Sequence, residues 1–248
     1  MRSFVLTAVT ASILFICSCS SIEKIQGADK AETYYLRGEA YLKEGMHEQA
    51  LEKFTLVKNK FPYSKYAVES ELKIADTYVA KGDYLESQKL YSVFAEFHPQ
   101  EPRRDYAIFS SGMSYYKLLP SSVDRDLGYG KNAVQEFRTV MESFPNSVYF
   151  KDALERYTEV RTRLATKEVY IGDFYRKRDV CDAAIERFKT VLDEYKDLGF
   201  DERMYFEIGK CYLKMDKKDD AKYYLDMLIV QYPNSEYVDK AKKMEMEL

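Results

Sequence analysis

Tryptophan is absent from the 248 residues, histidine occurs twice, and two of the four cysteines, Cys17 and Cys19, fall within the first twenty positions. His47 and His98 have no cysteine or histidine at ligand spacing, so no metal site is expected and both are read as surface residues. Cys181 and Cys211 stand at unlike positions and are expected to be separate, half-buried thiols, with a disulfide between them in an oxidising compartment as the alternative. Charge of one sign is missing too: 38 basic and 41 acidic residues, mixed along the chain, leave a net charge of -3. That balance removes the electrostatic footprint of a nucleic-acid binder. No stretch alternates like a half-buried strand, and no apolar run reaches the ~20 residues of a spanning helix. Catalytic vocabulary is equally thin. No Ser, His and Asp fall in a recognisable nucleophilic pattern, and Gly128-Tyr129-Gly130-Lys131, followed by Asn132, lacks the Walker spacing and reads as part of a loop. A non-enzymatic protein without a cofactor is expected.

The sequence does contain a helical period that repeats. Gly38 and Tyr41 sit three apart, Gly45 follows, and Ala50, Phe54 and Val57 fall at i, i+4 and i+7 before Pro62. The small residue lets two helices approach, the tyrosine fills the wedge beside that approach, and Gly45 suits the left-handed residue that ends a helix. The pair recurs as Ala75 and Tyr78, Gly112 and Tyr115, Gly172 and Tyr175, Gly209 and Tyr212. Second-helix triads follow: Ser87, Tyr91, Phe94; Ala133, Phe137, Val140; Ala184, Phe188, Val191; Ala221, Leu225, Leu228. This pattern resembles the tetratricopeptide repeat, a helical hairpin of about 34 residues. The expected fold is an all-α tetratricopeptide-repeat solenoid of five helical hairpins, at about 31–64, 65–101, 102–147, 165–198 and 202–235, with a C-terminal capping helix from Glu236.

The turns between hairpins carry their own signature: Phe61-Pro62-Tyr63-Ser64, Phe144-Pro145-Asn146-Ser147 and Tyr232-Pro233-Asn234-Ser235. Proline stops one helix and serine caps the next. The third hairpin is interrupted by an insertion holding Pro120, Ser121, Ser122, Gly128 and Gly130, expected to be a loop. Beyond it, no glycine or proline falls between Asn146 and Ile171, which predicts one long helix from about Val148 to Lys177. Arg161, Arg163, Lys167, Arg176, Lys177, Arg178 and Arg187 give this region a basic bias, which suits either a partner's carboxylates or a solvated face offset by Glu155, Glu159 and Glu168.

The amino terminus carries Arg2, an apolar run from Phe4 to Ile16, and small residues, which predicts a secretory signal over 1–18. Ile16-Cys17-Ser18-Cys19 resembles the bacterial lipobox, in which a small residue precedes the cysteine to be lipidated. Cys19 fits; Cys17, preceded by bulky Ile16, does not. The resemblance implies a diacylglycerol thioether and a further palmitate-type chain, enough for stable anchoring. Ser20 after the cysteine implies the outer membrane, and residues 19–30, polar and unpatterned, are expected to be a tether.

Signal, lipobox, five repeats, the insertion with Asp124-Arg125-Asp126, the Phe144 to Ser147 turn and Phe174-Tyr175-Arg176-Lys177-Arg178 together resemble the BamD family of outer-membrane assembly lipoproteins. The resemblance implies a subunit of the β-barrel assembly (BAM) complex on the periplasmic face of the outer membrane, without a cofactor. Implied partners are a POTRA domain of BamA, unfolded outer-membrane β-barrel proteins and other BAM lipoproteins. It also implies a substrate-contacting role for Tyr63 and partner-binding roles for Arg187 and Arg178. Another periplasmic repeat lipoprotein, such as a secretin pilotin or a Tol-Pal-linked coordinator, is the alternative.

Overall fold

The computed structural model describes residues 21–246; the signal segment and the cysteines at 17 and 19 lie outside the described residues. Those residues form eleven α-helices and one 3-10 turn, with no strand among them. They divide into two compact units, one made of residues up to Leu118 with Gln135–Ala153, the other of Leu119–Val134 with Leu154 onward.

The first unit begins with two helical hairpins, α1 (Lys30–Lys43) with α2 (His47–Lys60) and α3 (Lys65–Lys81) with α4 (Tyr84–Phe97), followed by α5 (Arg104–Lys117). Ala50, Phe54 and Val57 of α2 are fully buried, as are Ser87, Tyr91 and Phe94 of α4. In the first and third repeats the leading glycine makes room for the aromatic of the triad: a β-carbon on Gly38 would meet Cε1 of Phe54 at 2.7 Å, and one on Gly112 would meet Cε1 of Phe137 at 2.8 Å. Gly45, at φ 72°, turns the chain so that the Met46 amide donates to the Tyr41 carbonyl at 2.8 Å. Ser64 and Ser147 cap as their spacing implies, their hydroxyls accepting from the amides of Tyr66 at 3.3 Å and Tyr149 at 3.1 Å. Around Asp76 a small polar network forms, its carboxylate accepting from the hydroxyls of Tyr91 and Tyr106, each at 2.6 Å.

The stretch before α1 differs from the tether expected over 19–30. Ile22 is buried with Tyr35, Tyr41, Phe54 and Val57, and Glu23 accepts from the Tyr41 hydroxyl and the Arg37 guanidinium, each at 2.6 Å. The Tyr41 hydrogen bond, followed by Lys53 and Arg37 charge, holds the Glu23 carboxyl below its ordinary range. Composition makes this segment look like linker, yet one isoleucine and one carboxylate suffice to dock it.

Two further helices bridge the described sequence, α6 (Gly128–Ser143) and α7 (Phe150–Arg176). The loop expected to include Gly128-Tyr129-Gly130-Lys131 ends sooner, because Asp126 accepts from the Gly128 amide at 2.9 Å and starts α6 there. Those glycines belong to the first helical turn, and Gly130 is small because a β-carbon would meet Leu164 Cδ2 at 3.1 Å.

In the second unit, α7 pairs with α8 (Cys181–Glu194), and a 3-10 turn at Lys196–Leu198 leads to α9 (Asp201–Lys214) and α10 (Lys218–Gln231). Phe188, Leu225 and Leu228 are fully buried. Asp179 and Asp216, at φ 65° and 58°, take the left-handed turn position that Gly45 fills in the first hairpin. The last helix, α11 (Val238–Glu245), buries Val238 and Ala241, while Tyr237 stacks on Phe206 at 5.0 Å between centroids.

Candidate functional site

Tyr63 lies on the turn between α2 and α3 and is fully exposed, although it is flanked by Phe61, which stacks on Tyr34, and by the Ser64 cap. A proline-led turn with both neighbours engaged leaves this aromatic free of the core. It stands at the rim of an open cavity of about 570 Å³ lined by Asp29, Lys30, Ala31, Lys60, Phe61, Pro62 and Ser64. One wall is the first turn of α1. Asp29 accepts from the amides of Glu32 at 2.8 Å and Thr33 at 2.9 Å, which leaves those of Lys30 and Ala31 as the helix's open donors. Two lysines, open helix amides and an apolar wall suit a chain end that carries both a carboxylate and an aromatic or aliphatic side chain.

The second unit holds the other two sequence-predicted residues. Arg178 sits on the α7–α8 turn, its Nη1 donating to the Phe174 carbonyl at 3.3 Å, and no carboxylate pairs with it among the described residues. Phe174 and Val180, on either side, are exposed. Arg187, on α8, pairs with Glu168 of α7 at 3.1 Å and keeps about half of its side chain in solvent. A partner acid would have to share that guanidinium with Glu168.

Most of the basic bias read from the sequence is structural. Arg161 makes a two-pronged contact with Asp197, at 2.5 and 2.6 Å, and donates to the Glu194 carbonyl at 2.8 Å. Its hydrogen bonds hold the Asp197 carboxyl below its ordinary range. Arg163 and Lys167 donate to the carbonyls of Pro120 and Arg125, which ties the insertion to α7. Arg176 lies between Asp173, at 3.5 Å, and Glu207, at 3.3 Å, and Arg203 reaches Asp173 at 2.5 Å. Of the charges singled out, Lys177 and Arg178 are presented outward with no ion pair among the described residues, and Arg178 is the one stacked on an aromatic ring.

His98, expected as a surface residue, is partly exposed, contacts Glu71 at 3.0 Å and packs on the Phe94 ring at 4.6 Å. Cys181 and Cys211, expected to be separate and half-buried, are both buried and belong to one core cluster. Sequence reasoning also missed the cavity beside Tyr63, because residues 29–31 and 60–64 converge only once the first hairpin closes. No three His, Cys, Asp or Glu side chains gather in a metal-holding group among the described residues, and none of their helices is long and apolar enough to cross a membrane.

Comparison with known proteins places these features. The family described as YfiO, outer membrane lipoprotein, matches residues 27–224. The chain belongs to the YfiO family. Among its relatives, an outer membrane protein assembly factor BamD from Rickettsia prowazekii is 29% identical over 212 residues, spanning 86% of this chain and 84% of that protein. Its counterparts from Pasteurella multocida and Neisseria gonorrhoeae are 27% and 26% identical, over 89% and 85% of this chain and 87% and 82% of theirs. Of solved structures, the TPR2AB-domain:pHSP90 complex of yeast Sti1 aligns over 89% of this chain and 84% of that one, at 14% identity and a TM-score of 0.47, a likeness too loose to carry an argument. The YfiO match includes both Tyr63 and the Arg178–Arg187 region.

Proposed function

We propose that this chain is a non-enzymatic assembly factor for outer-membrane β-barrel proteins, lipid-anchored through Cys19 on the periplasmic face of the outer membrane. In this reading the cavity beside Tyr63 receives the carboxy-terminal segment of an unfolded barrel protein. Lys30, Lys60 and the open amides of α1 take the terminal carboxylate, and Tyr63 closes over the last apolar side chain. Arg178 and Arg187 face a POTRA domain of BamA, where guanidinium groups pair with carboxylates through geometry that lysine does not match. Other BAM lipoproteins complete the assembly. The observation that carries the reading is Tyr63, a fully exposed aromatic at the rim of a cavity lined by Lys30, Lys60 and the start of α1.

Affinity purification of the tagged full-length protein from detergent-solubilised outer membrane, with mass spectrometry of what accompanies it, tests the reading. Stoichiometric recovery of a POTRA-bearing barrel is the expected outcome. Recovery of a secretin or of Tol-Pal components in its place would overturn it in favour of another periplasmic repeat lipoprotein.

A further inference from the structure

Cys181 opens α8 and Cys211 lies on α9 of the next hairpin, and neither is in a disulfide. Both belong to one buried cluster with Ala184, Phe188 and Met204, at 6% and 2% exposure. Both side chains pack in that one cluster and line the same cavity, so the two sulfur atoms share a single small space. Burial, reinforced by the neighbouring Cys181, pushes the Cys211 thiol up. Two thiols packed together inside an apolar core would be inert filler. These two, however, line a cavity of about 300 Å³ that opens to solvent and is otherwise bordered by Arg176, Lys177, Asp179, Lys210 and Lys214. Arg176 and Lys210 pair with Glu207 and Lys214 with Asp179, so Lys177 is the charge left without an ion pair at the mouth, and a small disulfide compound that enters there reaches the wall formed by both cysteines.

We propose that Cys181 and Cys211 form an intramolecular disulfide, made by exchange with a low-molecular-weight or protein disulfide that enters through this cavity and clasps α8 to α9. Cys181, the less buried sulfur, attacks as thiolate and breaks the donor's S–S bond, releasing one donor thiol and leaving a mixed disulfide. Cys211 then loses its proton and displaces the second donor thiol. One S–S bond forms and one breaks; the two cysteines give up two electrons and two protons, and the donor leaves as two thiols. The periplasmic location proposed above enters only as the source of the oxidising disulfide. Val180, immediately before Cys181, donates its amide to the Tyr175 carbonyl at 3.1 Å, so the bridge would also fasten the turn that carries Arg178.

The test uses the purified full-length protein in detergent, fully reduced and then equilibrated with mixtures of oxidised and reduced glutathione. Free thiols are trapped by alkylation before digestion and mass spectrometry. The expected result is a linked peptide pair containing Cys181 and Cys211, lighter by two hydrogens than the two free peptides. The Tm of the oxidised protein should exceed that of its own reduced form by about 5–10 °C. Cys181→Ala should yield no linked pair and no oxidation-dependent rise in Tm. Full alkylation of both cysteines at every ratio, or separate glutathione adducts with no link, would overturn the proposal. Because the wild-type protein serves as its own reference, the result stands even where the variant folds poorly. No partner or membrane enters the measurement, so its failure leaves the assembly reading untouched, and the reverse holds equally.

Discussion

The guanidinium carbon of Arg178 lies 3.5 Å from the centroid of the Phe174 ring, so the arginine is held in place by its own turn. A stacked, exposed pair of this kind contributes about 0.5–1 kcal/mol and, more to the point, fixes the direction in which the charge is presented. Less side-chain freedom is then lost on docking. Arg178→Glu is expected to weaken binding to a soluble POTRA fragment by at least about tenfold, with Tm changed by less than about 2 °C, because no buried contact is removed. Arg178→Lys should fall between. Titration calorimetry and thermal melts on the same preparations give both numbers.

Tyr63 has no core to lose, so Tyr63→Ala should leave Tm unchanged within about 1 °C. The same change should lower affinity for a carboxy-terminal barrel peptide by about tenfold, the worth of burying an aromatic side chain against an apolar wall. Amidating the peptide terminus should cost a similar factor through loss of the charge-assisted contacts with Lys30, Lys60 and the helix start. Fluorescence anisotropy with labelled free-acid and amide peptides separates these effects. Equal binding of the two peptides would remove the carboxylate from the model of recognition.

Gly38→Ala places a methyl group against the Phe54 ring, whose near atom stands 2.7 Å away and whose surroundings are fully buried. Overpacking of this order costs about 1–3 kcal/mol. Thermal or urea denaturation should show that loss, and Phe54→Leu added to Gly38→Ala should recover part of it. A neutral Gly38→Ala would mean that the hairpin tolerates a wider helix separation than its packing implies.

The carboxyl of Glu136 accepts from the Ser111 hydroxyl at 3.3 Å, yet burial outweighs that bond and raises its pKa above 4.5. A group whose folded pKa is raised binds its proton more tightly in the folded state. Its favourable contribution is therefore present below pH 4.5 and is lost as pH rises through the folded value. Glu136→Gln keeps a hydrogen-bonding group without the charge, so it should raise Tm by about 2 °C at pH 7.5 and by nothing measurable at pH 4. Differential scanning calorimetry at the two pH values checks the sign.

The hairpins were legible because their packing is local. Gly38 and Phe54, or Gly209 and Leu225, lie on adjoining helices, so one period fixes both partners, and the serine caps follow from the residue types alone. Sequence reasoning failed where one side chain redirected a segment. Asp126 converts a glycine-rich loop into a helix start, and Ile22 with Glu23 converts an apparent linker into packed chain. The same holds for the site. The role of Tyr63 was suggested by family resemblance, but its cavity needs α1 and the α2–α3 turn to close together. The basic run suits either a docking surface or a solvated face from its composition, and Asp197, Pro120, Arg125 and Glu207 occupy most of it.

The docking of Ile22 shortens the leash. If the lipid is carried by Cys19, it lies at most about 10 Å of chain from the buried isoleucine, since each residue spans at most ~3.3–3.6 Å. The first hairpin would then have little room to roam, and Tyr63 would survey a layer of periplasm close to the bilayer surface rather than its depth. Lengthening that leash should change which substrates the cavity meets without altering how tightly it holds them.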